Sequence, residues 1–271
     1  MKQPREAGPD LSLVIPAYNE ALRLPAFLER VDRYLKMRHL PYEVIVVDDG
    51  SQDETAALVI AQADRLSHIR LVRSPCNAGK GAAVRLGMLQ ARGRLQLFAD
   101  ADGATAIEEL ASLELAIARG ADIAIGSRTL ASRDSRYSVS ARRHRSILGS
   151  IFNAVVQRLG LRGIHDTQCG FKLFRQPVAE DLFSVAHVNG YGFDLELLYI
   201  AQRRGYRIAE VPINWADQPG SKVRPARDGL TMLYDLLSVR RRNALGLYGS
   251  RYRPCAAADP LLQPMESTSG R

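Results

Sequence analysis

The amino-acid sequence predicts an α/β fold, a mostly parallel sheet flanked by helices, and three observations carry that prediction. Short apolar or β-branched runs alternate with segments of helical period through the first half of the chain. Five such runs alternate with helices within residues 11–125, which argues for a parallel sheet with right-handed crossovers. Polar, acid-containing loops follow three of the runs, and in sheets of this kind ligands collect at the carboxyl ends of the strands.

Leu11–Ile15 reads as the first strand, stopped by Pro16, and Leu22–Leu35 then spaces apolar residues as a helix does. Tyr42–Val47 is the second strand and ends in Asp48-Asp49-Gly50-Ser51. The next helix spans Asp53–Ala63, with Ser51 as its expected N-cap and Glu54 completing a capping box. Ile69–Val72 is a third strand and Gly79–Ala91 a helix. Leu95–Ala99 is the fourth strand, before a helix over Ala106–Ala118 and a fifth strand at Ala121–Ile125. The pattern changes after Gly126. Ser127–Arg145 is polar and basic, with Arg128, Arg133, Arg136, Arg142, Arg143 and Arg145, and is expected to be a loop leading into a helix over Arg145–Leu159. Beyond it come a strand at Phe171–Phe174, helices at Pro177–Phe183 and Phe193–Arg203, and a strand at Tyr206–Val211. Pro212 should end that strand's pairing or place it on an edge. Leu230–Tyr248 reads as an amphipathic helix with Leu230, Leu233 and Leu237 on one face and Arg240-Arg241-Arg242 near its end. That face is expected to pack on the sheet or to lie on an anionic bilayer. The expected organisation is a disordered start at 1–10, one domain over 11–227, the amphipathic helix over 228–250, and a disordered tail at 251–271.

Composition narrows the function classes. With 271 residues, 46% hydrophobic and 24% charged, the chain can bury a substantial core, and it holds no apolar run approaching the ~18 residues of a membrane span. The polar segment Met1–Asp10 lacks the apolar centre of a secretory signal, so a cytoplasmic location is expected. Cys76, Cys169 and Cys255 are odd in number and far apart, which argues against a disulfide framework or a thiolate zinc site. The net charge of +8 is concentrated after Gly126. Without a zinc-finger, RNP or recognition-helix pattern it points to phosphate ligands or an anionic membrane surface rather than nucleic acid.

The sharpest candidate site is Leu95-Gln-Leu-Phe-Ala-Asp-Ala-Asp-Gly103, an apolar strand that ends in Asp100 and Asp102. Carboxylates two residues apart on an extended chain project to one side, and burying them is costly without a cation. Alone, the stretch favours a solvated strand-end turn, because Asp and Gly are ordinary turn residues. Two further loops reach the same rim, Pro16-Ala17-Tyr18-Asn19-Glu20 and Asp48-Asp49, and together the three suit a nucleotide and a metal. Asp49 could instead cap the helix after it. Lys80, in Gly79-Lys80-Gly81 at a helix start, suits a phosphate, but the P-loop spacing and its Ser/Thr are missing, which disfavours ATP hydrolysis.

Taken in order, Val14-Ile-Pro-Ala-Tyr-Asn-Glu20, Val47-Asp-Asp-Gly-Ser51, Asn77-Ala-Gly-Lys-Gly81, Asp100-Ala-Asp-Gly-Ala104, Gly126-Ser-Arg128, Asp166-Thr-Gln-Cys-Gly-Phe-Lys172, Phe193-Asp-Leu-Glu-Leu197 and Gly220-Ser-Lys222 resemble the inverting family-two glycosyltransferases of GT-A fold. The resemblance covers Leu11 to Tyr248. Gly103, directly after the second acid, resembles the dolichyl-phosphate β-glucosyltransferase branch more than the mannosyl branch.

That resemblance implies transfer of glucose from UDP-glucose to a polyprenyl phosphate with inversion, as in protein glycosylation, and dependence on Mg²⁺ or Mn²⁺. It makes Asp102 the direct metal ligand, with Asp100 on the ribose or on the metal through water. It places Pro16, Ala17, Tyr18, Asn19, Glu20, Asp48, Asp49, Lys80, Asp100, Ala101 and Asp102 around the nucleotide sugar. Arg128 is the implied ligand of the acceptor phosphate, Lys222 closes over the diphosphate, and Asp194 contacts sugar or acceptor. Eukaryotic glucosyl enzymes of this kind carry an N-terminal membrane anchor, which this sequence does not show, so peripheral attachment to the cytoplasmic face of a membrane is expected. A mannosyltransferase using GDP-mannose and a non-catalytic basic binding module are the competing readings.

Overall fold

The computed structural model describes residues 8–140, 152–220, 222 and 225–249. Most of the two expected tails, Arg142, Arg143, Arg145, Ser221, Cys255 and the first part of the 145–159 helix lie outside the described residues.

A seven-stranded sheet organises the chain, in the order β3-β2-β1-β4-β7-β5-β8. Its strands are β1 (Leu11–Ala17), β2 (Tyr42–Asp48), β3 (Ile69–Arg73), β4 (Leu95–Ala99), β5 (Ile123–Ser127), β7 (Phe171–Arg175) and β8 (Ile208–Pro212), while β6 (Val139–Ser140) and β9 (Trp215–Ala216) form a separate parallel pair. Every pairing in the large sheet is parallel except those of β7, which runs antiparallel to both β4 and β5. The expected parallel succession is therefore interrupted, because a late strand inserts between two early ones. Pro212 is the last residue of β8, an edge strand, where its missing N–H breaks no ladder.

The helices are α1 (Leu24–Met37), α2 (Thr55–Arg65), α3 (Lys80–Gln90), α4 (Leu110–Ala118, preceded by a 3₁₀ turn at Ile107–Glu109), the short α5 (Arg128–Ala131), α6 (described over 152–158), α7 (Gln176–Phe183), α8 (Phe193–Arg203) and α9 (Pro225–Ala244). In α1 the buried residues Leu24, Phe27, Leu28, Val31 and Leu35 form one stripe, and Pro25 sits in the first turn, where it costs no hydrogen bond. Strand residues alternate between two cores. Val14, Ile45, Val47 and Phe98 join α3, α7, α8 and α9 on one face, and Leu13, Ile15, Val44, Val46 and Leu97 join α1 and α4 on the other. Burial on both faces is why these strands read as continuous apolar runs.

Two local expectations change. Ser51 does not cap α2: its Oγ accepts from Asn19 N at 2.9 Å, and Asp53 Oδ1 takes Thr55 N and Oγ1 at the helix start. On α9 the inward residues are Met232, Leu236 and Val239, not the face defined by Leu230 and Leu237, which are 71% and 52% exposed. Leu233 is partly buried against the core. The helix docks on α8, with Asp235 approaching Gly192 and with Met232, Leu236 and Val239 turned into the core.

Candidate active site

β1 has β2 on one side and β4 on the other, so the strand order reverses between β1 and β4. The loops after these three strands are the three picked out in the sequence, and they meet at this reversal. Asp100 N continues the β4–β7 ladder by donating to Gly170 O at 3.0 Å, after which Asp100–Gly103 turns, with Gly103 at φ +66°. The acids thus stand in a turn beyond the strand end, not on the strand itself. Asp100 Oδ1 lies 2.7 Å from Lys80 Nζ. Asp102 Oδ1 accepts from Ala104 N at 3.0 Å, and its Oδ2 is 3.8 Å from Arg23 Nη1. Ala101 between them is buried.

Burial raises the carboxyl of Asp102 above the ordinary range and the charge of Asp100 adds to it, against the Ala104 N–H, Arg23 and Lys80. Burial works against the Lys80 ammonium, yet Asp100 and Asp194 hold its pKa above the ordinary lysine value. Among the described residues no three His, Cys, Asp or Glu side chains cluster as a complete metal site. Two acids with open sides fit a hard cation that takes its remaining oxygens from a diphosphate and water, the usual arrangement for Mg²⁺.

The first loop is held from several sides. Asn19 adopts φ +50°, its Oδ1 accepts from Gln52 N at 2.8 Å, and Glu20 N donates to Thr55 Oγ1 at 2.8 Å. The Glu20 carboxylate receives Arg23 Nη2 at 2.5 Å, Arg23 Nε at 2.7 Å and Lys222 Nζ at 2.9 Å. Lys222 also donates to the carbonyls of Tyr18 and Asn19 and lies over the Tyr18 ring. It therefore rests on the Tyr18–Glu20 loop. Pro16 and Ala17 are the last residues of β1, and Ala17 O accepts from Asp49 N at 2.8 Å.

Asp48 is fully buried at the end of β2, its Oδ1 accepting from Ser51 N at 2.9 Å. Asp49 does not cap α2. Its two oxygens take Ala78 N at 2.9 Å and Gly79 N at 2.8 Å, so it fixes the start of α3, which carries Lys80. Burial raises its carboxyl, the two N–H groups oppose this, and Asp48 adds to the rise.

Arg128 opens α5 directly after β5. Its main-chain N and Nε donate to Asp166 Oδ2 at 2.9 and 2.7 Å, and Nη2 donates to Oδ1 at 2.8 Å. Burial alone would raise the Asp166 carboxyl, but the charge and hydrogen bonds of Arg128, with Lys172 behind them, hold it below the ordinary range. Asp194, on the first turn of α8, is buried and ion-paired with Lys172 at 2.5 Å. It lies beneath the acids, close enough to influence Lys80, and not on an open wall. Cys169 is buried and its thiol is pushed up to about 12, mainly by burial, which suits packing rather than reaction.

Three residues of this site carried no role in the sequence reading. Arg23 stands three residues after Glu20, a helical spacing that signals a pair. Asp166 lies inside a quoted motif, while Trp215 has no local signal because its partners are distant in sequence.

The model of Glycosyl transferase family 2 matches residues 12–183. The dolichyl-phosphate beta-glucosyltransferase of Drosophila melanogaster is 40% identical over 252 residues, covering 88% of this chain and 77% of its own, and that of Homo sapiens is 39% identical over the same length and shares. Among solved structures, glucosyl-3-phosphoglycerate synthase from Mycobacterium tuberculosis with Mn²⁺, UDP and phosphoglyceric acid superposes with a TM-score of 0.61 at 21% identity, covering 90% of this chain and 80% of that one. Mannosyl-3-phosphoglycerate synthase from Rubrobacter xylanophilus gives 0.65 at 18%, over 88% and 76%. Both likenesses are of fold.

Proposed function

Since the chain belongs to glycosyl transferase family 2 and is a glycosyltransferase, we propose that it moves glucose from UDP-glucose to the phosphate of a dolichyl-type polyprenol, with inversion. The observation that carries this reading is the pairing of Asp100 and Asp102 with Lys80 and Arg23 at the strand-order reversal, on the rim that also presents Arg128.

A phosphate monoester is ionised near neutral pH, so the acceptor needs no strong base to take its proton. One of its oxygens attacks the anomeric carbon from the face opposite the diphosphate. The new C–O bond forms as the bond to the β-phosphate breaks, and UDP leaves with the electron pair. Mg²⁺ or Mn²⁺ held by Asp102, with Asp100 beside it, would offset the charge growing on that leaving group. Lys80, at the N-terminus of α3, adds a fixed positive charge there, at the helix end that favours an anion. Pro16–Glu20 and Asp48–Asp49 border the nucleoside, and Lys222 can shift from its loop carbonyls to the diphosphate. Arg128 offers to the acceptor phosphate the edge that Asp166 does not take. Asp194, paired with Lys172, adds to Asp100 in favouring the charged form of Lys80.

Membrane contact belongs to the same proposal. No helix among the described residues is long and apolar enough to cross a bilayer. Contact at the cytoplasmic face, where a polyprenyl phosphate presents its head group, would use the exposed Leu230, Tyr234 and Leu237 of α9.

Purified protein given citronellyl phosphate should turn over UDP-glucose with Mn²⁺ at least tenfold faster than GDP-mannose, and Asp102→Ala should lose more than about 100-fold in rate. Preference for GDP-mannose would replace the donor, and full activity in Asp102→Ala would remove the metal role.

A further inference from the structure

Trp215, the one tryptophan of the sequence, joins the acid loop to Arg128. Its main chain belongs to the acid-loop side. Trp215 forms an antiparallel bridge with Thr105, and Ala216 N donates to Ala104 O at 3.0 Å. Ala104 in turn donates its N–H to Asp102 Oδ1. From the other direction, Trp215 N donates to Ser138 O at 3.0 Å within the β6–β9 pair. The indole belongs to the arginine side, with Arg128 Cζ 5.3 Å from the ring centroid.

Asp166 grips the guanidinium by the edge formed by Nε and Nη2, and leaves Nη1 outside that pair. Asp166 is itself held, because Glu210 Oε1 takes its N–H at 2.9 Å while Oε2 takes the N–H and Nδ1 of His165 at 2.8 Å each. A carboxylate on one edge still allows the guanidinium plane to tilt about that edge. An aromatic face laid over the plane stops the tilt, and a cation over indole is stabilised electrostatically as well.

We propose that Trp215 is a positioning residue for the acceptor phosphate: its indole fixes the plane of Arg128, and its main chain fixes that plane relative to the loop bearing Asp102. The distance between the acceptor phosphate and the sugar held over the acids is then set by one residue. This rests on Arg128 being the acceptor-phosphate ligand. Trp215 lies far along the sequence from both Thr105 and Arg128, so the acceptor and donor halves of the site are registered through a single side chain and its adjoining strand.

The test compares Trp215→Leu, Trp215→Phe and Arg128→Ala by steady-state kinetics with citronellyl phosphate and UDP-glucose, and by titration calorimetry with UDP and Mn²⁺. Trp215→Leu should raise the acceptor KM about fivefold to tenfold, the range of a partly desolvated cation–π contact, with UDP affinity within twofold of the parent. Trp215→Phe, which keeps a smaller face, should recover most of the loss, and Arg128→Ala should exceed it. An unchanged acceptor KM in Trp215→Leu beside a raised one in Arg128→Ala overturns the role of Trp215 and leaves Arg128 as ligand. Unchanged acceptor KM in both removes the Arg128 reading and this one with it. Equal losses of UDP and acceptor affinity in both Trp215 variants also overturn it, since they report damage to the fold rather than registration of the acceptor.

Discussion

Asp100 owes its place to a residue without a side chain. A Cβ on Gly170, just before β7, would lie 2.1 Å from Asp100 Oδ2, so any side chain there would push the carboxylate out of its place. Two residues on, Lys172 is fully buried, with Nζ donating to Cys169 O at 2.7 Å and to Asp194, and lying 5.2 Å from the centre of the Phe98 ring. The Asp166–Lys172 stretch thus makes the floor of the site from one buried cation and the glycine beside it. Removing one partner of a buried pair leaves the other uncompensated, so Lys172→Met should cost about 3–5 kcal/mol. Replacing both, as Lys172→Met with Asp194→Leu, should recover much of that stability. Denaturant unfolding of the three proteins measures it, and a double variant no more stable than the single one would contradict the argument.

At the scale of the element, α3 shows how packing reverses a propensity. Glycine inside a helix usually costs about 1 kcal/mol relative to alanine. In α3, however, a Cβ at Gly87 would meet Val14 Cγ1 at 2.4 Å and Val47 Cγ2 at 2.8 Å, because the helix lies directly on β1 and β2. Gly87→Ala should therefore destabilise the protein by about 1–3 kcal/mol, read as a lower denaturation midpoint; a rise in the midpoint would show that the helix can move away. The other informative element is α9. Its outward face holds Leu230, Tyr234 and Leu237, and Leu245 follows the helix end, all more than half exposed and bordered by exposed Arg240, Arg241 and Arg242. Apolar residues flanked by arginines suit an anionic bilayer surface, with about 1 kcal/mol per arginine near it. Sedimentation with phosphatidylserine vesicles should fall at least tenfold for Leu230→Glu with Leu237→Glu, and fall with rising salt for the parent. Equal binding by parent and variant would move the contact elsewhere.

For the whole molecule, the site is an assembly of loops from three strands, closed from the far end of the chain by Lys222, and from beneath by α8. A donor that touches all of them should stabilise the fold as a unit. At a hundredfold excess over its Kd, UDP with Mn²⁺ should add about 2.7 kcal/mol and raise the thermal midpoint by several degrees. At the same concentration UDP alone should add less, on the proposal that Asp102 holds a divalent cation. A midpoint unmoved by the pair, under conditions where calorimetry detects binding, would mean that the loops do not act together.

The sequence alone determined the alternation of strands and helices, the rim loops and the acids, because each is written in contiguous residues. Apolar period, turn chemistry and short motifs are local signals. It placed the Pro16–Glu20, Asp48–Asp49 and Asp100–Asp102 loops on one rim. Tertiary structure decided how they are used: that β7 enters antiparallel beside β4, that Asp49 serves α3 instead of α2, that Asp194 faces Lys172, that Lys222 rests on the first loop, and that α9 turns Leu230 outward. The physical reason is the same throughout. Each of these depends on a partner distant in sequence, from 22 residues for Asp194 and Lys172 to 202 for Lys222 and Glu20, and such partners exist only once the sheet has assembled.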